Sequence, residues 1–343
     1  MTQILPKSKY EIVDLSNKIS YESFSIDHPE MDQDIFSKWS LFQTIVTIIG
    51  LIANLVTMLT LISNGKEFPK ISRILYMHQS VIDSLVCLVS VPMYSQHFMW
   101  MSGNSTFDYL LCQVWHGQCI FWILVLISTW NLVFIAFERF LKTNYPFTHL
   151  DLLKKHVYAI ITAINIFSII IMIPTTLQTK YDDETGKCIG KYYYDTFTFK
   201  TFMSVYGIFI FFVLYAIPAS SFVILYIKII LKLRQRPYVL GKVNRQSSNV
   251  ENAEHQLIRT GIFVTTFFVF SLSWDCWSYV LGRIGIISYE KDTWQSVLGV
   301  FLVAFNSCCN PFIYSSTLPI YRRSLIKTLR CKWQENIAND TFA

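Results

Sequence analysis

Asp83 is a carboxylate in the middle of a long apolar stretch of the chain. Such a group is costly in a hydrophobic segment and indicates a function. A carboxylate surrounded by hydroxyl and amide oxygens can hold a small hard cation. It can equally belong to a hydrogen-bonded network that joins helices and encloses water. The residue types leave both interpretations open. The polar residues at similar depth in other apolar stretches are Asn54, Ser128, Asn131, Asn306, Ser307 and Asn310.

Two further polar groups lie near the ends of apolar stretches. Glu138 and Arg139 are adjacent, so they can pair in one state and separate when a partner docks. An arginine that merely extends to the membrane surface beside a chance acidic neighbour is the alternative. Pro311 removes a backbone donor, kinks its helix and frees a carbonyl, which we expect Asn310 to satisfy. Tyr314 then places a hydroxyl one turn further along.

Membrane-spanning helices must position these residues. Of the 343 residues, 15% are charged and 52% are hydrophobic, whereas roughly 25% are charged in a soluble protein. This composition excludes disorder, collagen, coiled coil and nucleic-acid-binding tails. It predicts an all-α membrane protein, a seven-transmembrane helix bundle followed by a short amphipathic helix. Crossing a bilayer takes about 20 apolar residues, and the stretches that qualify, spans 1 to 7, are 41–63, 74–98, 111–137, 156–177, 202–231, 257–282 and 294–316.

The basic residues predict the orientation of the bundle. With residue 1 outside, the inner side carries 19 of the 29 Lys and Arg residues and 7 of the 23 acidic ones. The net charge is then +12 inside and −4 outside, with two carboxylates in the membrane. We therefore expect an extracellular N-terminal segment over 1–40, a seven-transmembrane bundle over 41–316, and an amphipathic helix with a cytoplasmic tail over 317–343. The net charge of +6 thus reflects topology, and no nucleic-acid partner is expected.

The ordered motifs resemble the rhodopsin-like (class A) G-protein-coupled receptors over nearly the whole chain, from residue 41 to 331. Asn54 and Asp83 match the polar residues of spans 1 and 2 in that family. Residues 138–140 read Glu-Arg-Phe, where the family has Asp/Glu-Arg-Tyr. Residues 310–314 match the Asn-Pro-x-x-Tyr motif of span 7. The resemblance implies a plasma-membrane, multi-pass receptor that couples to a heterotrimeric G protein and has no enzymatic activity.

The resemblance also implies which residues switch the receptor. Tyr226 matches the tyrosine of span 5, and Trp274 matches the aromatic switch of span 6, with Phe270 one turn earlier. The set expected to switch the receptor and contact the G protein is Glu138, Arg139, Tyr226, Phe270, Trp274, Asn310, Pro311 and Tyr314. The residues that resemble the family's allosteric sodium pocket are Asp83, Ser128, Asn306 and Asn310. No other cofactor is required.

The sequence departs from the family at several positions. Cys276 replaces the proline of span 6, and span 4 lacks its tryptophan. His78 and Gln79 replace the usual Asn-Leu of span 2. Cys112 lies 27 residues before Arg139, where 25 is usual. These departures favour a divergent member over a well-known subfamily.

The cysteines and one sequon suggest covalent modifications. Cys112 and Cys188 resemble the family's disulfide, and Cys119 is the rival partner, about 10 Å deeper in the membrane at 1.5 Å per residue. Cys331 follows a basic inner surface and is a candidate for palmitoylation, although an unmodified tail cysteine is an alternative. Asn104 begins an Asn-Ser-Thr sequon in the first outer loop, so it is a candidate for N-glycosylation.

The outer third of the bundle is rich in aromatic residues with neutral hydrogen-bonding groups, which is typical of a ligand pocket. No acidic residue lies between Cys112 and Glu138, which disfavours a monoamine ligand, and no lysine lies between Trp294 and Tyr314, which excludes a retinal Schiff base there. Acidic outer segments favour a cationic peptide ligand, and ordinary solvated loops of the same composition are the alternative. The candidate pocket residues are Tyr94, His97, Gln118, Phe121, Trp122, Trp277, Ser278 and Ser296.

The sequence therefore predicts a cell-surface receptor that binds an extracellular ligand and activates a heterotrimeric G protein by a two-state rearrangement of its helices. The ligand is a peptide in the favoured interpretation. An ion- or proton-coupled transporter or channel, in which Asp83 and Asp275 form a relay, is the alternative. Asp275 itself has no assigned role.

Overall fold

A computed structural model describes residues 33–94, 102–145, 150–183, 185–190, 197–234, 245–287, 289 and 293–340. The helices in these ranges are α1 (Gln33–Ser63), α2 (Lys70–Tyr94), α3 (Ser105–Leu111), α4 (Cys119–Asn144), α5 (Leu150–Met172), α6 (Phe197–Phe211), α7 (Ile217–Arg234), α8 (Arg245–Arg283), α9 (Trp294–Thr317) and α10 (Pro319–Asp340). Strands β1 (Thr179–Asp182) and β2 (Lys187–Gly190) form an antiparallel hairpin.

Each predicted span overlaps helical structure. Spans 1, 6 and 7 lie in α1, α8 and α9, span 2 follows α2 up to residue 94, beyond which it lies outside the described residues, and span 4 covers most of α5 and the 3-10 turn after it. Span 3 begins at the last residue of α3 and continues in α4, and span 5 extends from α6 into α7. Six helical segments of the described chain are long and apolar enough to cross a membrane. The remaining span lies in α8, whose first turns are polar and which carries Asp275. The predicted seven-helix bundle is therefore confirmed, although α1 begins at Gln33, before the predicted start at residue 41.

A five-residue π-helical turn interrupts span 3 and another interrupts span 5. The first covers Cys112–His116 and is followed by a break at Gly117 and Gln118, where Gln118 has the left-handed φ of 58°. A π-turn takes up extra residues in a helix without breaking its course. These irregularities account for the unusual separation of Cys112 from Arg139. The second turn, Phe212–Ala216, precedes Pro218 in α7.

The last helix, α10, packs across the inner end of α1. The Asn64 amide nitrogen donates a hydrogen bond of 2.7 Å to the Thr328 hydroxyl, and the Thr57 and Tyr321 hydroxyls are 2.7 Å apart. The Ser324 hydroxyl donates to Glu67 at 2.6 Å, and this bond holds the pKa of the Glu67 carboxyl below its ordinary value. The predicted helix after span 7 is therefore present and attached to the bundle.

Spans 1 and 7 approach each other closely at Gly50. A Cβ atom at this position would lie 2.4 Å from the Cys308 Sγ atom and 3.0 Å from the Cys308 Cα atom. In lipid, such contacts between small residues replace the hydrophobic effect as the source of helix association. Glycine at position 50 thus permits the distance at which α1 and α9 pack.

We expect Gly50→Ala to lower the thermal unfolding temperature of the detergent-solubilised protein, because its methyl group would overlap both the side chain and the Cα atom of Cys308. A rotation of the Cys308 side chain alone could not relieve this overlap. Overpacking of this kind costs about 1–3 kcal/mol. The matched control is Ile49→Ala on the exposed side of the same turn, where a change within about 0.5 kcal/mol is expected. Equal unfolding temperatures for the two variants would contradict the close approach.

Candidate functional site

Asp83 is completely buried where spans 2, 3 and 7 meet. Its Oδ1 atom accepts hydrogen bonds from the Ser128 hydroxyl at 3.0 Å and from the Gln79 amide nitrogen at 3.1 Å. Its Oδ2 atom accepts from the same Gln79 nitrogen at 3.1 Å and from the Asn310 amide nitrogen at 2.7 Å. The carboxylate therefore ties three helices together through neutral donors.

Gln79 extends this network to a further residue of span 3. Its Oε1 atom accepts a hydrogen bond of 2.7 Å from the Asn131 amide nitrogen, which also donates to the Leu75 carbonyl at 3.2 Å. The sequence indicated only that Gln79 departs from the family. Its position four residues before Asp83, on the same helix face, is the signal that pairs the two side chains.

Asn54 stabilises the kink of span 7. Pro311 has no N–H for the carbonyl of Ser307, four residues earlier. The Asn54 amide nitrogen donates to that carbonyl at 3.0 Å and to the Gly50 carbonyl, also at 3.0 Å. The prediction that Asn310 satisfies the freed carbonyl is therefore wrong, because Asn310 turns its amide nitrogen towards Asp83 instead.

The predicted sodium ligands only partly come together. Asp83, Ser128 and Asn310 are in contact, but the hydroxyl and the amide nitrogen direct hydrogens at the carboxylate. Asn306 is buried in the same span as Asn310, and its Oδ1 atom has no hydrogen-bond partner among the described residues. A cation needs free oxygen lone pairs. The donors on both Asp83 oxygens take up that position, so the arrangement does not fit a bound sodium ion.

Glu138 and Arg139 are both buried at the inner end of α4. The Arg139 Nε atom lies 3.4 Å from Glu138 Oε2, and Arg139 Nη2 donates to the Tyr76 hydroxyl at 3.2 Å. Glu138 also forms an ion pair with Lys142 and accepts a hydrogen bond of 3.1 Å from the Ser72 hydroxyl. Arg139 is thus held inside the bundle by its acidic neighbour, as the paired interpretation predicts, and does not extend to the surface.

A small cavity lies next to Arg139, between spans 2, 3, 5, 6 and 7. Tyr76, Tyr226, Tyr314 and Gly261 are among the residues that line it. The Tyr226 and Tyr314 hydroxyls are buried and have no hydrogen-bond partner among the described residues. The Tyr226 hydroxyl points at span 6, since a Cβ atom on Gly261 would lie 2.0 Å from it. This contact closes the inner mouth of the bundle.

A threonine pair joins spans 6 and 7 beside this cavity. The Thr260 hydroxyl donates to the Thr317 hydroxyl at 2.8 Å, and both residues are buried. An outward movement of α8 would have to break this bond.

Span 6 is rotated relative to the arrangement predicted from the resemblance. Phe270 is 72% exposed on the outer face of the bundle, and Trp274 is 40% exposed, with its indole N–H donating to the Gln295 carbonyl of span 7 at 3.0 Å. Phe268 and Leu272 are buried instead, and Phe268 meets Phe222 of span 5 edge-to-face, with ring centroids 5.4 Å apart. The prediction that Trp274 and Phe270 form an internal switch is wrong. Phe268 and Leu272 precede Phe270 and Trp274 by two residues, which turn a helix by about 200°, so the two pairs lie on opposite faces of α8.

The disulfide between Cys112 and Cys188 is present, with Cα atoms 5.5 Å apart. It attaches β2 to the start of span 3, and the Thr179 hydroxyl of β1 donates to the Cys112 carbonyl at 2.7 Å. Cys119 is a free, buried cysteine. The expected pairing is confirmed and the alternative is excluded.

The predicted pocket residues do not share one environment. Phe121 is fully buried and packs edge-to-face on Trp122, and Tyr94 is also buried. Trp277 is 49% exposed and packs on Phe211 of span 5, so it faces outward. Its assignment to the pocket is therefore wrong. The half-buried candidates are Gln118, Trp122, Ser278 and Ser296, whereas His97 lies outside the described residues.

Asp275 is only 4% exposed and lies between spans 6 and 7. Its Oδ1 atom accepts a hydrogen bond of 2.6 Å from the Tyr289 hydroxyl. A Cβ atom on Gly299 would lie 2.6 Å from the same oxygen. The side chain that the sequence left without a role thus faces the neighbouring helix and not lipid.

The two candidate modification sites differ in their setting. Asn104 is exposed and caps α3, because its side-chain oxygen accepts hydrogen bonds from the Thr106 and Phe107 backbone N–H groups. Cys331 belongs to α10, and its side chain lies outside the described part of the chain. Both modifications stay predictions.

Comparison with known proteins agrees with this geometry. The profile of the seven-transmembrane receptors of the rhodopsin family matches residues 53–314. A violet-sensitive opsin of Xenopus laevis is 23% identical over 303 residues, which are 86% of this chain and 82% of the opsin. Neuropeptide Y receptor type 6 of Oryctolagus cuniculus is 24% identical over 310 residues, 82% of this chain and 78% of that receptor. Somatostatin receptor type 1 of Rattus norvegicus is 27% identical over 128 residues, 37% of this chain and 30% of that receptor.

The pairing of Asn54 with the Ser307 carbonyl predicts non-additive mutations. Asn54→Leu should lower the thermal unfolding temperature, because it leaves a buried carbonyl unsatisfied at a cost of about 1–3 kcal/mol. In a Pro311→Ala background the new backbone N–H can reach Ser307, so the same substitution should cost less, by about 1 kcal/mol. Thermal unfolding in detergent measures both effects.

The control pairs Pro311→Ala with Ser90→Ala, whose hydroxyl donates to the Val86 carbonyl of its own helix at 2.7 Å. Those two substitutions should be additive. Full additivity of Asn54→Leu with Pro311→Ala would show that Asn54 does not compensate for the proline.

Proposed function

Because the chain belongs to the rhodopsin family of seven-transmembrane receptors, and is thus a G-protein-coupled receptor of the plasma membrane and not an enzyme, we propose that it binds an extracellular peptide and activates a heterotrimeric G protein. The N-terminus is extracellular in this proposal. The excess of positive charge on the loops next to Glu138 supports that orientation.

The closed inner mouth around Arg139 is the observation that carries the coupling proposal. Arg139 is held by Glu138 and by Tyr76, which lines the cavity. Tyr226 and Tyr314 line the same cavity, and their hydroxyls have no hydrogen-bond partner in the described part of the chain. If α8 moves outward, the Gly261 contact and the Thr260–Thr317 bond open together. Arg139 and the tyrosines would then line a crevice that a G-protein helix can enter. Ligand binding needs only to favour this open population.

The outer surface supports a peptide ligand. Asp183 is exposed at the end of the β1–β2 hairpin, which the disulfide holds beside the bundle. The predicted extracellular segment 1–40 is acidic, so cationic ligands would be drawn to this face. Two of the relatives are by name receptors for neuropeptide Y and somatostatin. The lack of a lysine between Trp294 and Tyr314 argues against an opsin-like chromophore despite the similarity to an opsin.

No observation favours the transporter alternative. In a relay, a proton or an ion would have to pass between Asp83 and Asp275 over a short distance. Asp275 lies against Gly299 and Asp83 against Asn310, and these residues are 11 positions apart on α9. At 1.5 Å per residue, they are about 16 Å apart along the helix. Direct transfer between the two carboxylates is therefore excluded.

A screen tests the ligand class directly. Cells that express the full chain with a promiscuous G protein are exposed to peptide and small-molecule libraries while intracellular calcium is recorded. A response to cationic peptides that is lost in untransfected cells is expected. A response only to small neutral molecules would contradict the peptide proposal, whereas the coupling proposal would stand.

Arg139→Ala should reduce nucleotide exchange on a co-purified G protein at least about tenfold, which corresponds to about 1.4 kcal/mol. The side chain is the charged group that the open crevice would present to the partner. The matched control is Arg322→Ala on the exposed face of α10, which should exchange nucleotide as the unmodified receptor does. Unchanged exchange by Arg139→Ala would rule out the proposed role of the Glu138–Arg139 pair.

Gly261→Ala should raise basal nucleotide exchange, because its methyl group would overlap the Tyr226 hydroxyl and push α8 away from α7. Removal of that hydroxyl in Gly261→Ala/Tyr226→Phe should bring the basal rate back towards that of the unmodified receptor. The measurement is ligand-free exchange on a purified G protein. A basal rate that Gly261→Ala leaves unaltered would show that this contact does not hold the inner mouth closed.

A further inference from the structure

We propose that the side-chain amide of Gln79 takes the place of a cation at Asp83, so that the polar core of this receptor functions without sodium. The resemblance implies a sodium pocket at this point, but the described contacts do not fit one. The inference goes beyond the proposed function, since it concerns how the buried carboxylate is satisfied, whichever ligand or G protein the receptor uses.

The first argument is the position of the Gln79 nitrogen. It lies 3.1 Å from each of the two Asp83 oxygens. A cation bound by both oxygens of one carboxylate would have to lie in this bisecting position. The amide nitrogen directs one N–H, which carries partial positive charge, at this point, and it lies 2.5 Å from the Ser128 hydroxyl oxygen, to which it donates its other hydrogen.

The second argument is saturation of the carboxylate. An ionised carboxylate has about four lone-pair sites. One N–H of Gln79 is shared between both oxygens, Ser128 donates to Oδ1 and Asn310 to Oδ2, so three donors make four contacts with the group and each oxygen has two of them. The edge at which both Asp83 oxygens could bind a cation is thus already occupied. Buried polar groups that are fully hydrogen-bonded in this way need no further partner.

The third argument is that Gln79 cannot easily turn away. Its side chain is fully buried, and its Oε1 atom accepts a hydrogen bond of 2.7 Å from Asn131. Rotation of the amide by 180° would place Oε1 against the carboxylate and the NH₂ group against the Asn131 donor. Both contacts would then be repulsive. The donor orientation is thus fixed from both sides, and it couples Asp83 to span 3.

The leucine that the family usually has at this position would supply no donor. Gln79→Leu therefore removes the N–H that both Asp83 oxygens share and leaves space at the bisecting position. The carbonyl oxygens of Asn306 and Asn310, which have no partner among the described residues, are then available as further ligands. Oxygen ligands of this kind suit a small hard cation.

The experiment compares thermal unfolding of the purified full-length receptor in NaCl and in KCl at the same ionic strength, about 0.15 M. The unmodified receptor should unfold at the same temperature in both salts. Gln79→Leu should unfold at a lower temperature in KCl and regain about 2–4 °C in NaCl, because a ligand that binds only the folded state stabilises it. Gln79→Met, which also lacks a donor but is closer in length to glutamine, provides a second test if the leucine variant does not fold.

Asp83→Asn in the Gln79→Leu background is the control, and it should abolish the sodium-specific gain. A sodium-specific rise in the unmodified receptor would overturn the proposal. The same holds if neither donor-free variant gains a sodium response, since the amide would then not be what excludes the ion. Unfolding is recorded without ligand or G protein, so failure here is distinguishable from failure of the proposed receptor function.

Discussion

A carboxylate buried in a membrane bundle must obtain its hydrogen bonds from the helices around it, and Asp83 imposes this requirement on spans 2, 3 and 7. An unpaired charge at that depth costs several kcal/mol. Ser128, Asn310 and Gln79 meet the requirement from three directions. Because each donor is fixed to its own helix, a shift of any one helix by a few ångströms would leave the carboxylate short of partners. The hydrogen bonds of Asp83 are thus satisfied in only one relative arrangement of these helices.

Span 7 depends at Pro311 on a second buried hydrogen bond between helices. Pro311 frees the Ser307 carbonyl, and in lipid there is no bulk water to satisfy it. Asn54 reaches this carbonyl only because Gly50 lets α1 approach α9 at Cys308. Gly50 and Asn54 of α1 therefore act together with Pro311 of α9 as one structural unit. The conformation of span 7 follows from that unit and from the bond between Asn310 and Asp83.

The sequence predicts the spans, the Glu138–Arg139 pair and the polar core well, because charge inside an apolar stretch has few explanations. It predicts poorly which face of a span is internal. Lipid is as apolar as a protein core, so Phe268 and Phe270 look equivalent in the sequence although only Phe268 is buried. The π-turn at Cys112–His116 is also hidden, since it appears only as two surplus residues. The role of Gln79 does not follow from the sequence, because the departure from the family pattern shows that the usual leucine is absent but not which contacts the glutamine makes.

Span 7 is the element through which the two ends of the bundle are connected. At its outer end, α9 approaches Asp275 closely at Gly299. Further inwards, Asn310 is hydrogen-bonded to Asp83 and Thr317 to Thr260. Its Tyr314 ring also packs on Tyr76, with centroids 5.0 Å apart, and Tyr76 in turn contacts Arg139. Two of these contacts are made to α8 and two to α2, so a movement of α9 changes its contacts with both helices. Because Gln79 fixes Asp83 to span 3 without a removable ion, the middle contact has no exchangeable part. In the proposed receptor function, the closed and open states would then differ mainly in the inner contacts of Arg139, Tyr226 and Thr260. These lie beside an internal cavity and beside two tyrosine hydroxyls that have no hydrogen-bond partner among the described residues and that a second arrangement can satisfy.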